Sequence, residues 1–238
     1  MNYREAYEKW LKEFADDKKT IAELTAIAGD EKEIEDRFYT GLSFGTAGMR
    51  GVLGAGENRM NVYTVRKATR GLADYINRQP GAAARGVVIA YDSRRMSAEF
   101  AKETALVLAK NGVKAWLFPS LRPVPVLSFS VRHMKAVAGV VITASHNPPQ
   151  YNGYKVYWED GAQLPPERAD EVLAMIRAHD YADCEPMDEQ AALASGLLEY
   201  VPAAVDDAYI AQVKTLAIRP ELLRKHGSEL KIVYTPLH

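Results

Sequence analysis

The sequence predicts an α/β fold: a three-layer α/β/α domain with a mixed sheet, followed by the start of a second similar domain. Short apolar runs rich in β-branched residues, Gly86–Tyr91, Val113–Phe118 and Ala136–Thr143, have the length and composition of strands buried on both faces. Segments of helical periodicity separate them, which places helices on both sides of one sheet. Near residue 204 the pattern restarts, with a new helix and then a new apolar run.

The first element is an amphipathic helix, with Tyr3, Tyr7, Trp10, Leu11 and Phe14 on one face and Asn2 and Glu5 as a capping pair. Residues 30–43 mix charges and aromatics and lead into a glycine-rich loop, SFGTAGMRGVLGAGENRM. A second helix runs from about Val62 to Asn77 and is broken by QPGAAARG. After the strand Gly86–Tyr91, Ser97 is placed to cap a helix whose inner face carries Phe100, Thr104, Val107 and Leu108. Leu127–Met134 is a short helix between the second and third strands. YNGYKVYWEDGAQL reads as a hairpin with turn signals at Asn152-Gly153 and Asp160-Gly161, and Pro165-Pro166 opens a helix through Ile176.

The segment EYVPAAVDDAYIAQVKTLAI closes one unit, and SELKIVYTPLH reads as the first strand of another. A lone helix and strand cannot bury a core. Residues 1–204 are therefore expected to form one domain, residues 205–238 the truncated start of a second, and the chain to be a fragment.

Composition narrows the function classes. The 238 residues are 47% hydrophobic and 26% charged, with a net charge of −1. That balance is ordinary for a soluble globular protein and gives no global basic field for nucleic acid or anionic membrane. There is no run of about 20 apolar residues and no hydrophobic signal core. The single cysteine, Cys184, rules out an internal disulfide framework and suits a reducing cytoplasm; it reads as an incidental thiol.

Chemistry concentrates in two stretches. In FGTAGMRG, Gly45, Gly48 and Gly51 recur every third residue, with Arg50 just before the last. Such a loop can cradle an anion while the guanidinium grips phosphate, or it is a plain glycine-rich turn. In TASHNPPQYNGYK, Ser145 follows a buried strand, which fixes its backbone at the sheet rim. It is either a turn-forming serine or a reactive one. The G-x-S-x-G elbow of serine hydrolases is absent, and a hydrogen bond between the adjacent Ser145 and His146 is not the expected geometry. A hydroxyl beside His146 and Asn147, with Lys155 ten residues on, suits a cationic phosphate pocket. Asp92, at another strand end, reads as a helix cap or as the partner of a buried arginine. The other histidines lack metal-ligand spacing.

FGTAGMRG at 44–51, YDSR at 91–94, TASHNPPQYNGYK at 143–155 and YTPLH at 234–238 together resemble the α-D-phosphohexomutase superfamily, the phosphoglucomutases and phosphomannomutases. The wording FYTGLSFGTAGMRG is most similar to the subgroup that includes phosphopentomutases. The resemblance implies that Ser145 carries the catalytic phosphoryl group and, through its phosphate, supplies one Mg²⁺ ligand. It further implies that Lys155 is the general acid/base, that Arg50 contacts the phosphate, and that His146 lines the pocket. Thr46 and Asn147 would shape their loops. The implied reaction interconverts glucose 1-phosphate and glucose 6-phosphate, with glucose 1,6-bisphosphate as activator and intermediate.

Family members also carry an aspartate-rich D-G-D-x-D-R metal loop, a sugar-selecting loop and a phosphate-binding loop, none of which occurs in these 238 residues. The implied partners are a phosphosugar and the remaining domains of the same polypeptide, and the isolated fragment is expected to turn over little. The alternatives are phosphomannomutase or phosphopentomutase specificity, a non-catalytic phosphosugar-binding module, and a serine hydrolase.

Overall fold

The structure, a computed structural model, describes residues 2–45 and 48–234. Three short helices open the chain: α1 (Tyr3–Glu13), α2 (Lys18–Ala26) and α3 (Glu31–Phe38). The Asn2/Glu5 capping box forms as expected, and Asp17 and Asp30 cap the next two helices. The 18–26 helix was not expected, because its single buried residue, Leu24, gives almost no periodic signal. Tyr7, Trp10, Phe14, Leu24, Ile34 and Phe38 close a small core of their own with Ala55 and Tyr63. The Arg37 guanidinium bonds Glu23 at 2.5 Å, Glu33 at 2.8 Å and the Ala55 carbonyl at 3.1 Å, which ties this helical cap to the loop before the next helix.

The remaining elements build the sheet and its two layers. In chain order they are β1 (Gly48–Val52), α4 (Val62–Asn77), α5 (Ala82–Arg85), β2 (Val87–Tyr91), α6 (Ser97–Lys110), β3 (Ala115–Leu117), α7 (Val124–His133), β4 (Ala138–Ile142), β5 (Tyr151–Trp158), α8 (Pro166–Arg177), α9 (Glu189–Ala194) and β6 (Leu198–Tyr200). The sheet order is β1-β5-β4-β2-β3-β6. β4, β2, β3 and β6 pair in parallel, while β5 is antiparallel to β4 and to β1. This mixed, doubly covered sheet is the architecture the apolar runs predict. Alternate residues feed two cores: Val87, Ile89, Val140, Ile142 and Tyr154 face α4, α6 and α8, whereas Val88, Ala90, Val141 and Tyr157 face α7.

Several expectations are corrected. Five residues of the glycine-rich loop form edge strand β1, because Gly48–Val52 finds a ladder partner in Lys155–Tyr151. Gly48 has φ +122°, and a Cβ there would lie 1.9 Å from the Tyr154 carbonyl oxygen, so glycine is required by the pairing. Asn152-Gly153 is no turn: both residues lie inside β5, and only Asp160-Gly161 turns the chain. Ser97 does not cap α6; Met96, in the left-handed region at φ +66°, holds that position. The short helix starts at Val124, since Pro125 suits a first turn where no N–H bond is needed. Leu198–Tyr200 is a sixth strand, paired in parallel with β3, which the sequence reading did not include.

Beyond it, α10 (Ala203–Lys214) packs Val205 and Tyr209 against the α7 face. After α11 (Pro220–His226), Lys231–Tyr234 forms no strand, contrary to expectation, because no neighbouring strand lies there to accept its backbone bonds. Residues 235–238 lie outside the described residues.

α4 and α8 meet at Gly71, where an added Cβ would lie 2.4 Å from Ile176 Cγ1 and 2.6 Å from its backbone nitrogen. Gly71→Ala is therefore expected to cost about 1–3 kcal/mol by forcing two packed helices apart, outweighing alanine's better helix propensity. Urea denaturation would show it as a lower midpoint at unchanged slope.

Candidate active site

The carboxyl ends of three parallel strands open on one side of the sheet, where loops converge in α/β folds. Asp92 follows β2, Arg122 follows β3, and Thr143 to His146 follow β4; together they line a cavity of about 340 Å³. β5 runs back from this rim, so Lys155 lies on it opposite Val141 of β4 and Gly48 of β1. Arg50 of β1 pairs with Gly153 one step nearer the rim.

Ser145 sits in a tight turn closed by the Asn147 N–H donating to the Ala144 carbonyl at 3.1 Å. Its φ is +57°, a left-handed conformation that non-glycine residues rarely adopt. The Thr143 hydroxyl accepts the Ser145 N–H at 2.9 Å. Contrary to the expectation from adjacency, Ser145 Oγ lies 3.3 Å from His146 Nδ1, because the left-handed turn brings two neighbouring side chains together. Asn147 Oδ1 accepts from Arg50 Nη1 at 2.7 Å, joining the edge strand to the serine loop across 97 residues of sequence.

Burial pushes the Lys155 amine below the usual range, and the Arg50 guanidinium pushes it further, while Asp92 acts in the opposite sense. Thus Ser145, His146, Asn147, Arg50 and Lys155, singled out by sequence, are brought to one rim. Thr46 lies outside the described residues. Asp92 takes the arginine-paired alternative: its carboxylate accepts from the Arg94 N–H at 2.9 Å and the Ser97 hydroxyl at 2.7 Å, with Oδ2 3.4 Å from Arg94 Nε.

Three residues escaped the sequence reading. Arg94 is buried, and its guanidinium donates to the serine loop. Asn152 is buried within β5, and its amide donates to the Arg95 carbonyl and the Ser97 hydroxyl, both at 3.0 Å. Arg122 is held bidentately by Asp206 of α10 at 2.8 and 2.6 Å. Arg94 lies in YDSR and Asn152 in TASHNPPQYNGYK, but spacing does not distinguish a buried polar side chain from a surface one.

The remaining candidates lie away from this rim. Cys184 is buried, and desolvation pushes its thiol up to about 11, which leaves it unreactive. His179 pairs with Asp74 at 2.5 Å, His133 stacks on Phe129, and His226 lies against Glu229. Among the described residues no three His, Cys, Asp or Glu side chains cluster as a metal site. No helix among them is long and apolar enough to cross a membrane.

The profile of the family "Phosphoglucomutase/phosphomannomutase, alpha/beta/alpha domain I" matches residues 41–183. A phosphoglucomutase of Staphylococcus saprophyticus is 39% identical over 209 residues, 87% of this chain and 37% of the relative. One from Staphylococcus epidermidis is 40% identical over 208 residues with the same coverage. A crystal structure of a phosphoglucomutase/phosphomannomutase family protein from Burkholderia thailandensis superposes with a TM-score of 0.55 at 25% identity, covering 70% of this chain and 34% of that one. The chain thus spans 37% of the length of the curated relatives it matches. Matched by the family over residues 41–183 and similar to these relatives over 87% of its length, the chain belongs to the phosphoglucomutase/phosphomannomutase family.

Proposed function

We propose that this chain is the N-terminal, phosphoserine-bearing part of a phosphosugar mutase that interconverts glucose 1-phosphate and glucose 6-phosphate. The observation that carries the reading is the left-handed Ser145, held at a strand end beside Arg50 and a lysine whose charge is disfavoured. In this reading residues 1–204 form the serine domain, and 205–238 begin a second one with α10 as connector. The burial of the lone thiol fits a reducing cytoplasm.

The phosphorylated Ser145 donates to the free hydroxyl of a hexose monophosphate. The Ser145 Oγ–P bond breaks, a sugar O–P bond forms, and the hydroxyl proton passes to Lys155 Nζ. His146 Nδ1, 3.3 Å from Oγ, is placed to return a proton to the serine oxygen. The bisphosphate then reorients and its other phosphoryl group moves to Ser145: the new Oγ–P bond forms as the hydroxyl proton passes back to His146 Nδ1, the sugar O–P bond breaks, and Lys155 gives its proton to the departing sugar oxygen. Arg50, anchored by Asn147, offsets charge on the transferred group.

A phosphorylated Ser145 presents a hard oxygen donor of the kind Mg²⁺ prefers, and further ligands would come from outside these residues. The ion, when bound, would neutralise charge developing at the transferred phosphoryl. Phosphomannomutase or phosphopentomutase specificity is an alternative within the same chemistry, and a phosphosugar-binding module is a non-catalytic one.

The test is intact mass with peptide mapping after incubation with glucose 1,6-bisphosphate and Mg²⁺, on this chain and on any longer polypeptide its gene encodes. One phosphoryl group on Ser145 is expected. None there in either form, or phosphate elsewhere, would overturn the reading. The Ser145–His146 contact is the one observation favouring a hydrolase. Among the described residues, however, no carboxylate orients that imidazole. Fluorophosphonate labelling of Ser145 would revive it.

A further inference from the structure

We propose that Arg94 is a positioning residue that presets the Ser145 turn, acting through the backbone of the serine loop rather than on the phosphoryl group. Its guanidinium makes four hydrogen bonds, three to carbonyls of the serine loop and one to the carbonyl of Tyr151, the first residue of β5. Nη2 donates to Ser145 O at 2.8 Å and Asn147 O at 2.7 Å; Nη1 donates to Pro148 O at 3.0 Å and Tyr151 O at 3.1 Å. The side chain is 2% exposed, so this fork is sealed from water.

The other bonds of the loop between β4 and β5 are single contacts, among them the Asn147 N–H to Ala144 O, the Tyr151 N–H to Pro148 O, the Leu53 N–H to Gln150 O and Arg50 to the Asn147 side chain, and none of them captures the Ser145 carbonyl. Pro148 and Pro149 have no N–H to offer, so turn bonds alone cannot fix the loop's backbone. The strained residue is among those whose carbonyls Arg94 grips: Ser145 has φ +57°, and capturing its oxygen fixes the peptide plane that follows it. That plane sets where His146 starts and hence the 3.3 Å approach of Nδ1 to Oγ.

Arg94 is itself located from the opposite side. Asp92 accepts its N–H and lies 3.4 Å from Nε, and Asn152 bonds the carbonyl of the next residue, Arg95. β2, β5 and the serine loop are thereby locked through one planar fork. A lysine ammonium, a point donor with three N–H bonds, cannot serve four coplanar acceptors.

The experiment compares amide hydrogen exchange of the chain with that of Arg94→Lys, Arg94→Met and Asp92→Asn, alongside thermal unfolding. We expect exchange in peptides covering 143–152 to rise roughly tenfold or more in both Arg94 variants, with α4, α6 and the sheet protected as in the parent. Asp92→Asn, which keeps the fork but frees its Nε side, should give a smaller rise at the same peptides and covers the case in which Arg94→Met does not fold. Unchanged exchange at 143–152, a rise spread across the domain, or full restoration by lysine would each overturn the proposal.

A second readout rests on the phosphoserine reading. The maximal rate of Ser145 phosphorylation from glucose 1,6-bisphosphate should fall about tenfold or more in Arg94→Lys, at an unchanged half-saturating concentration. No phosphate uptake by the parent, either as this chain or within any longer polypeptide its gene encodes, would sink that reading and leave the exchange result to judge Arg94.

Discussion

Ser145→Ala is expected to abolish phosphoryl incorporation at the serine loop while unfolding at the parent temperature. In the proposed mechanism the hydroxyl oxygen is the atom to which phosphorus bonds, and no other hydroxyl shares its turn, so the expected functional loss is complete. Stability should be untouched because the only contact made by Oγ among the described residues is the exposed 3.3 Å approach to His146. Alanine also inherits the same left-handed backbone, so the strain is unchanged.

Ser145→Gly sharpens the argument. Glycine adopts φ +57° without a Cβ penalty, and this variant should gain about 1 kcal/mol of stability while remaining as inactive as the alanine variant. Mass spectrometry and thermal unfolding on the three proteins check both halves. A glycine variant less stable than the parent would mean that the turn is not strained in solution.

Lys155→Met is expected to lower the rate of phosphoryl transfer by roughly 10²- to 10⁴-fold, the range of a lost general acid/base. It should leave the melting temperature unchanged or raised, since a partly buried amine is replaced by an apolar side chain of similar length. The pH dependence follows from the direction of the shift. The amine is held below its ordinary range first by burial and then by Arg50, with Asp92 opposing. The rate should therefore climb with pH through that lowered value and level off earlier than for a free lysine.

Arg50→Gln removes a neighbouring positive charge and should move the rising limb to higher pH. Asp92→Asn removes a neighbouring negative charge and should move it to lower pH. Limbs moving in the same direction would show that the titrating group is not Lys155. The same linkage acts on folding. The folded state favours neutral Lys155, so its contribution to stability grows as pH rises from the folded value to the unfolded one.

The residues of the proposed site could be singled out in the sequence because they lie close together in it. Ser145, His146, Asn147 and Lys155 lie within eleven residues, and β-branched Val140 to Thr143 announce the strand that presents them. The three-layer fold was legible for a related reason: strands buried on both faces must be apolar throughout, as β2 and β4 are. The edge strand was hidden, since Gly48–Val52 gains its structure only from the ladder with β5, and glycine carries no strand signal of its own. The sixth strand and the second helix were hidden for want of length, the first having three residues and the second one buried side chain.

By itself, then, the sequence determined the family, the order of the apolar strands and the residues capable of phosphoryl chemistry. Those follow from composition and short-range spacing. The tertiary structure alone decided the left-handed turn of Ser145, the burial of Arg94 beneath it and the approach of Arg50 to Asn147. Each depends on groups 51 to 97 residues apart in the chain meeting at one sheet rim. Whether a polar side chain is buried, and which carbonyls it must then satisfy, is fixed by what packs around it and leaves no periodic trace along the chain.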